Sequence, residues 1–484
     1  MAFYLCKVEP GTLWKSVIFR MQKYLFTFVF MTIFTVYGQN KQLLYGVESM
    51  PQSLLLNPGA SYNYDGYIGV PFLSGISVSA GSSGVSAWDI FQEGGDINSR
   101  IDNAIRNLDD KDVFTANQQL EILSVGWLGR DQETFYSAGL YQETDFILYF
   151  PKDFAELAYN GNADFIGQRF NFSDIAATAE VLTAYHFGVN KKVSPKLRVG
   201  ARAKIYMSIL NGNSTGNSGF FRTRFTPEGP NFFTHEVADA NVQGRSSGLN
   251  DIYDEGAGTA IKRALFSPNL GLGFDLGFTY DVTKQWSLSA SLLDIGFIAH
   301  TTDLRNVNFS GNYEFNGIEL EFPALVEGQE TTDYWEIFLL EAEEALPFED
   351  FVSEAYTTLR PLKLNTALNY GFGENRDGEC NCLNKSDVSY TTNVGLHINA
   401  IKRPRSVLAA ATLYYDKSWW PFLKTKITYT VDTFSKNNIG LLVSTKIKNF
   451  NFYIAGDNLL EYADVTKARQ LSVQMGMQVV INQN

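Results

Sequence analysis

The sequence predicts an all-β fold: an antiparallel transmembrane β-barrel of about 14 strands, within a range of about 12–16, with partly helical long loops. Three observations predict it. Apolar and polar residues alternate with period two over runs longer than the five or six residues usual in soluble strands. The polar face of those runs is rich in Gly, Ser, Asn and Gln, as a confined lumen requires, whereas a water-facing sheet carries Lys and Glu. After the leader, no segment reaches the roughly 18 consecutive apolar residues that a membrane helix needs.

The leader begins at Met21. Residues 1–20 include Lys7, Glu9, Pro10, Lys15 and Arg20 and read as an upstream extension. From Met21, a short basic head at Lys23 precedes an apolar stretch at 24–36, and Val36-Tyr37-Gly38 places small side chains where a signal peptidase cuts. Residues 21–38 are therefore expected to be a cleaved signal peptide, with the barrel and its insertions in 39–484.

The alternation is clear along several strands. In 196–209 the face Leu197, Val199, Ala201, Ala203, Ile205, Met207 and Ile209 opposes Lys196, Arg198, Gly200, Arg202, Lys204, Tyr206 and Ser208. In 269–280, Leu270, Leu272, Phe274, Leu276, Phe278 and Tyr280 oppose Asn269, Gly271, Gly273, Asp275, Gly277 and Thr279. The segments 388–400, 422–434 and 468–482 repeat the pattern. Segment 286–297 changes phase, from Trp286, Leu288 and Ala290 to Leu293, Ile295 and Phe297, which predicts a bulge near Leu292. Further strands are expected near 67–80, 122–129, 133–142, 144–150, 176–189, 284–298, 362–373, 406–415, 437–447 and 449–456. A weaker hairpin is expected in 306–322. Aromatic residues near strand ends fit interfacial girdles.

Insertions are expected at 82–120, 211–266 and 323–361. The first carries Ile101, Ala104, Ile105 and Leu108 at helical spacing, and the second is rich in Gly, Asn and Ser. In the third, Trp335, Phe338, Leu339 and Ala342 form one helical face, with Glu336, Glu343 and Glu344 largely opposite and Pro347 ending the helix. Such loops normally lie outside the cell, and one of them can fold inward as a plug.

Composition excludes several functions. The formal charge is −13, and removing the leader discards more basic than acidic residues, so no nucleic-acid partner is expected. Cys6 lies in the discarded region. Cys380 and Cys382 sit two apart in an Asn/Asp/Gly-rich loop, where a strained local disulfide can form but no further metal ligands lie nearby. No cofactor and no metal are expected. The four histidines, His186, His235, His300 and His397, occur without a Gly-x-Ser-x-Gly elbow or a His-Glu-x-x-His motif. Gly271-to-Gly277 lies inside a strand, so it is no phosphate loop, and its glycines leave room for lumen contents or tight curvature. Catalysis is not expected.

Three stretches resemble a known family. These are LLLNPGASYNYDGYIGVPFLSGISVSAGSSG (54–84), NLGLGFDLGFTYDVTKQWSLSASLLDIGFI (269–298) and FYIAGDNLL (452–460). They resemble an uncharacterised outer-membrane β-barrel family of Bacteroidota, similar in architecture to the 14-stranded fatty-acid channels and to the shuttle barrel of type IX secretion. The resemblance implies residence in the outer membrane. One departure is the ending Ile481-Asn482-Gln483-Asn484, where many barrels finish on an aromatic.

The candidate lumen-lining or ligand residues are the inward-phase Arg198, Arg202, Lys204, Glu180, His186, Asp275 and His397. They form either a selectivity surface for an anionic or amphipathic solute or a set of internal ion pairs closing a filled barrel, the reading favoured on the cost of unpartnered buried charge. Two functions follow. One is a passive channel or transporter for small or hydrophobic molecules. The alternative is a non-catalytic scaffold that docks an envelope or secretion protein through its long loops. Outer-membrane lipid is a partner in both.

Overall fold

The computed structural model describes residues 41–227, 232–316, 340, 344–346, 348–352, 354–374 and 390–482. The expected upstream extension and signal peptide, the loop carrying Cys380 and Cys382 and nearly all of the expected 333–346 helix lie outside the described residues.

Residues with the period-two pattern form the wall of a closed antiparallel barrel of 14 strands. In chain order, the first half is β1 (Gly66–Gly69 and Ile76–Ser82), β2 (Val113–Leu128), β3 (Thr134–Tyr149), β4 (Ala177–Ser194), β5 (Leu197–Ser214), β6 (Leu270–Asp281) and β7 (Trp286–His300). The second half is β8 (Tyr356–Leu359 and Lys363–Glu374), β9 (Tyr390–Lys402), β10 (Val407–Trp420), β11 (Leu423–Asp432), β12 (Asn438–Ile447), β13 (Phe450–Asp457) and β14 (Gln470–Ile481). Each pairs with the next, and β14 closes on β1 through Ile68↔Val479 and Ile76↔Met475. Closure removes the edges whose unpaired amides and carbonyls lipid could not satisfy. Among the described residues, no helix is long and apolar enough to cross a membrane.

The two faces of the wall are inverted relative to a soluble sheet. On β6, Leu270, Leu272, Phe274 and Leu276 are exposed, with Phe274 at 56%, while Asp275 between them is 0% exposed. An outward apolar band with charge buried inside is stable only against lipid. Trp127 stacks with Tyr136 and Tyr136 with Phe187, while Trp286 packs on Tyr370 and Trp420 on Phe422. These clusters lie towards one rim, as an interfacial girdle does.

That rim carries short connections, such as 129–133, 195–196, 282–285 and 448–449, together with the first and last residues of the wall. In the first of these turns, Thr134 donates from its hydroxyl and its backbone N–H to Asp131, holding that carboxyl below its usual range. The long connections 83–112, 150–176, 215–269 and 301–355 leave and rejoin the wall at the opposite rim. The helical spacing in the first becomes Ile97–Arg106, capped by Asp96 and burying Ala104. Beyond this rim β5 continues as Asn211–Asn213, paired with strand Phe233–Ser247. Ser218–Phe225 and Leu304–Phe315 flank that strand, extending the sheet out of the wall.

Several expected boundaries move. The segments 133–142 and 144–150 are one strand, β3, and β2 starts at Val113, inside the stretch 82–120. The first arm of the weak 306–322 hairpin is real but belongs to the sheet outside the wall. The bulge expected near Leu292 lies between the pairs Phe274↔Ile295 and Leu276↔Leu292. It turns both Leu293 and Asp294 inward, so Leu293 does not share the outward face with Ile295 and Phe297.

Phe274→Arg places a charge near the middle of the lipid-facing band. It is expected to cost about 2–4 kcal/mol, measured by denaturant unfolding in lipid vesicles; an unchanged midpoint would contradict the assignment of that face to lipid.

Candidate functional site

The lumen is filled from the N-terminal side. Leu43, Leu44, Val47 and Met50 pack against the inward Leu442, Tyr453 and Ala455 of β12 and β13. A single helical turn, Ser53–Leu56, follows, and then Asn57-Pro58-Gly59. The terminal carbonyls of such a turn have no partner within it, so the wall supplies donors. Arg202 donates to the Leu54 oxygen at 2.7 Å, Ser291 to Leu56 at 2.6 Å, and Asn190 to Pro58 and Ala60 at 2.6 and 2.9 Å. Further up, the Lys426 Nζ donates to the Tyr45 oxygen at 2.7 Å, and Gln42 donates to Thr430 at 2.7 Å.

Two wall glycines explain how the segment fits. A Cβ on Gly200 would run into the Pro58 carbonyl, and one on Gly277 into the Asn57 side chain. The Gly-rich inner face of β5 and β6 is therefore the seat of the Asn57-Pro58-Gly59 turn, which donates from Asn57 to the Phe278 oxygen at 3.2 Å.

Above this seat the inward charges form one network. Asp275 pairs with Arg202 at 3.2 Å and Lys204 at 2.8 Å. Asp294 pairs with Lys204 at 2.6 Å and Lys363 at 2.7 Å, and accepts from the Tyr206 hydroxyl at 3.0 Å. Lys363 reaches Glu143 at 3.4 Å, which also holds Arg360 at 2.9 Å. Asp294 enters this network only because the β7 bulge gives it a positive φ of 59° and re-aims its carboxylate inward. A separate pair, Arg403–Asp145 at 2.6 Å, joins the residue just past β9 to β3.

The structure thus brings Arg202, Lys204 and Asp275 together and leaves the other candidates apart. Arg198 donates to Asn190 at 3.0 Å and covers the Tyr62 ring at 4.5 Å. Glu180 accepts from Ser208 and Asn211, with His300 at 3.8 Å. His186 is buried beside Tyr141, with ring centroids 5.8 Å apart. His397 stacks on Tyr45 at 4.2 Å and meets the Asn365 Oδ1 at 3.3 Å. Sequence reasoning did not name Asp294, Lys363, Glu143, Arg360 or the Arg403–Asp145 pair. The phase change in β7 signalled Asp294, and continuing the alternation of β3 through position 143 would have signalled Glu143.

Between the N-terminal segment and the inner faces of β1–β3, β5 and β7–β9 lies a cavity, part of it open to solvent. Its floor is Gln42, Leu55 and Leu56, and its walls include Asn117, Tyr141, Glu143, Lys363, Asn365, His397 and Arg403.

The chain belongs to the family of unknown function DUF5723, matched over residues 58–457. The match begins at the proline of the seated turn and ends with β13. No curated protein matches the sequence. Among solved structures, the Pseudomonas putida toluene transporter TodX aligns at 10% identity and TM-score 0.39, over 93% of this chain and 96% of that one. The monoaromatic hydrocarbon channel CymD aligns at 9% and 0.40, over 92% and 98%. A Pseudomonas aeruginosa FadL homologue aligns at 9% and 0.40, over 90% and 96%. At this level of likeness, the cargo of those channels says nothing about the cargo of this family member.

Two substitutions test the packing. Asp294→Ala strips one carboxylate from Lys204 and Lys363 and is expected to cost about 3–5 kcal/mol, read from denaturant unfolding. Gly200→Val is expected to dislodge the 57–59 turn while the wall stays closed, so that residues 41–60 become cleavable by protease in a barrel that still migrates as folded on a gel. Protection equal to that of the unaltered chain would show that the turn is not seated there.

Proposed function

We propose that this protein is a non-catalytic outer-membrane channel for small molecules whose lumen is closed at rest by its own residues 42–65. The observation that carries this reading is the cavity bounded below by that segment. The segment is held by hydrogen bonds and apolar contacts and, before Asp65, which pairs with β14 and β2, adds no backbone pairing to the wall, so that part can shift without breaking the barrel. The long connections at one rim then face the exterior, and the short turns and the N-terminal approach face the periplasm. Inside, Arg202, Lys204 and Asp275 act chiefly as internal pairs that hold the filled lumen together, because each charge is already neutralised by a neighbour. The remaining candidates, Arg198, Glu180, His186 and His397, are read as polar lumen residues that hold the filling or line its surroundings.

A second reading, the scaffold, is supported by the sheet outside the wall. Phe225, Phe232 and Phe233 are exposed near the tip of its hairpin, and such aromatics suit a protein partner in the envelope.

A tether distinguishes the two. Leu56→Cys with Ser291→Cys, in a chain also carrying Cys380→Ser and Cys382→Ser, links the plug to β7. In planar bilayers the oxidised form is expected to be silent and the reduced form to conduct at least intermittently. Equal conductance with and without reductant would sink the channel reading, and a stoichiometric protein recovered with the silent barrel would favour the scaffold.

A further inference from the structure

The helix Ala257–Phe266 stands between the sheet outside the wall and β6. A surface helix of a water-soluble domain turns its apolar stripe to the core and its charges outward. Here the order is reversed. Arg263 is buried, pairing with Asp251 and, at 3.4 Å, with Asp303. Ile261 and Leu265, one turn apart, are 64% and 43% exposed, and Phe266 is 76% exposed. The wall shows the same inversion, with Asp275 inside and Leu272 outside.

The helix ends against the outer face of that wall. Its last carbonyls have no partner within it, and one of them, on Leu265, accepts from the Tyr185 hydroxyl at 3.3 Å. Tyr185 has the outward phase of β4, since its neighbours Ala184 and His186 are buried inside. Across the sheet it pairs with Ile205, which pairs with Leu272, and both of these are exposed on the apolar band. One residue past the helix, Ser267 donates to the Ser208 oxygen of β5 at 2.5 Å, fixing the approach to Leu270, the first outward residue of β6. Apolar side chains exposed singly need no explanation, but these three adjoin a face already given to lipid. Lys262, exposed between Leu265 and Phe266 around the helix, has a stem long enough to carry its ammonium to lipid phosphates. We propose that helix Ala257–Phe266 is an interfacial anchor. It lies against the wall in the half of the bilayer on the side of the long connections, with Ile261, Leu265 and Phe266 among acyl chains and Lys262 at the phosphates. The occupant of this face is lipid, because Tyr185 and Leu270 join the exposed stripe to the band that lipid covers. The assignment does not depend on whether the lumen opens.

The test is fluorescence quenching in vesicles. In a full chain whose own cysteines are replaced by serine, Ile261→Cys, Leu265→Cys or Phe266→Cys carries an environment-sensitive fluorophore. Each barrel is reconstituted in vesicles of phosphatidylcholine and phosphatidylglycerol, with the phosphatidylcholine brominated along its acyl chains. Leu272→Cys on the wall and Glu93→Cys on the exposed first long connection set the lipid and water references. The three helix labels are expected to emit at shorter wavelength than the Glu93→Cys label and to be quenched at least about half as strongly as the wall label. Adding Ile261→Asp and Leu265→Asp to the Phe266→Cys chain is expected to reduce its quenching at least about twofold, while the barrel still migrates as folded on a gel. The helix positions are read independently, so a chain that does not fold is replaced by another of the three. The proposal is overturned if the folded helix variants behave like the Glu93→Cys chain, if their labels are shielded only in a cross-linked dimer, or if the two aspartate substitutions leave quenching unchanged.

Discussion

Everything in this molecule follows from the refusal of lipid to hydrogen-bond. A strand in a bilayer must pair on both edges, and a side chain facing outward must be apolar. Fourteen strands closed on themselves meet the first demand, and the outward Leu270, Leu272, Phe274 and Leu276 of β6 meet the second. The polar half of every strand is then forced inward. The lumen therefore inherits a large stock of donors, acceptors and charges that must find one another. Residues 42–65 answer part of that demand by bringing free carbonyls to the donors Arg202, Ser291, Asn190 and Lys426.

This explains what was legible in the sequence. Period-two alternation reports two environments, and here the environments are as different as hydrocarbon and a polar interior. The long strands β5, β6 and β14 were visible for that reason, as was the bulge in β7. The split of β3 arose where Gln142 and Thr144 face outward, so the contrast between faces fades around Glu143. The plug was not legible. Residues 41–65 have no sustained period, because each side chain meets a different part of the wall, and the distance from Asn57 to Gly277 in the chain hides their contact. The Asn57-Pro58-Gly59 motif could be noticed in the sequence, but its partner could be found only once the strands were in register.

The charges show a similar division. Inward phase identified Arg202, Lys204 and Asp275, but their meaning depends on Asp294, whose position in the alternation is altered by the bulge. Without it, two basic residues would share one carboxylate and a ladder of positive charge would line β5. With it, and with Lys363 and Glu143 across the lumen, the ladder becomes an alternating network from β5 to β3. Such a network is costly to break and adds little attraction for an incoming ion.

Glycine and charge together decide where space remains. On β5 and β6 the small residues Gly200 and Gly277 let the plug lie close against the wall. Across the lumen, β1–β3, β8 and β9 supply most of the cavity's lining, and Leu55 and Leu56 of the plug border it. The seat and most of the cavity's lining thus lie on opposite sides of the plug. Because Arg202 grips the plug while pairing with the Asp275 that also holds Lys204, and Lys204 lines the cavity, any movement of the plug is mechanically linked to the cavity wall.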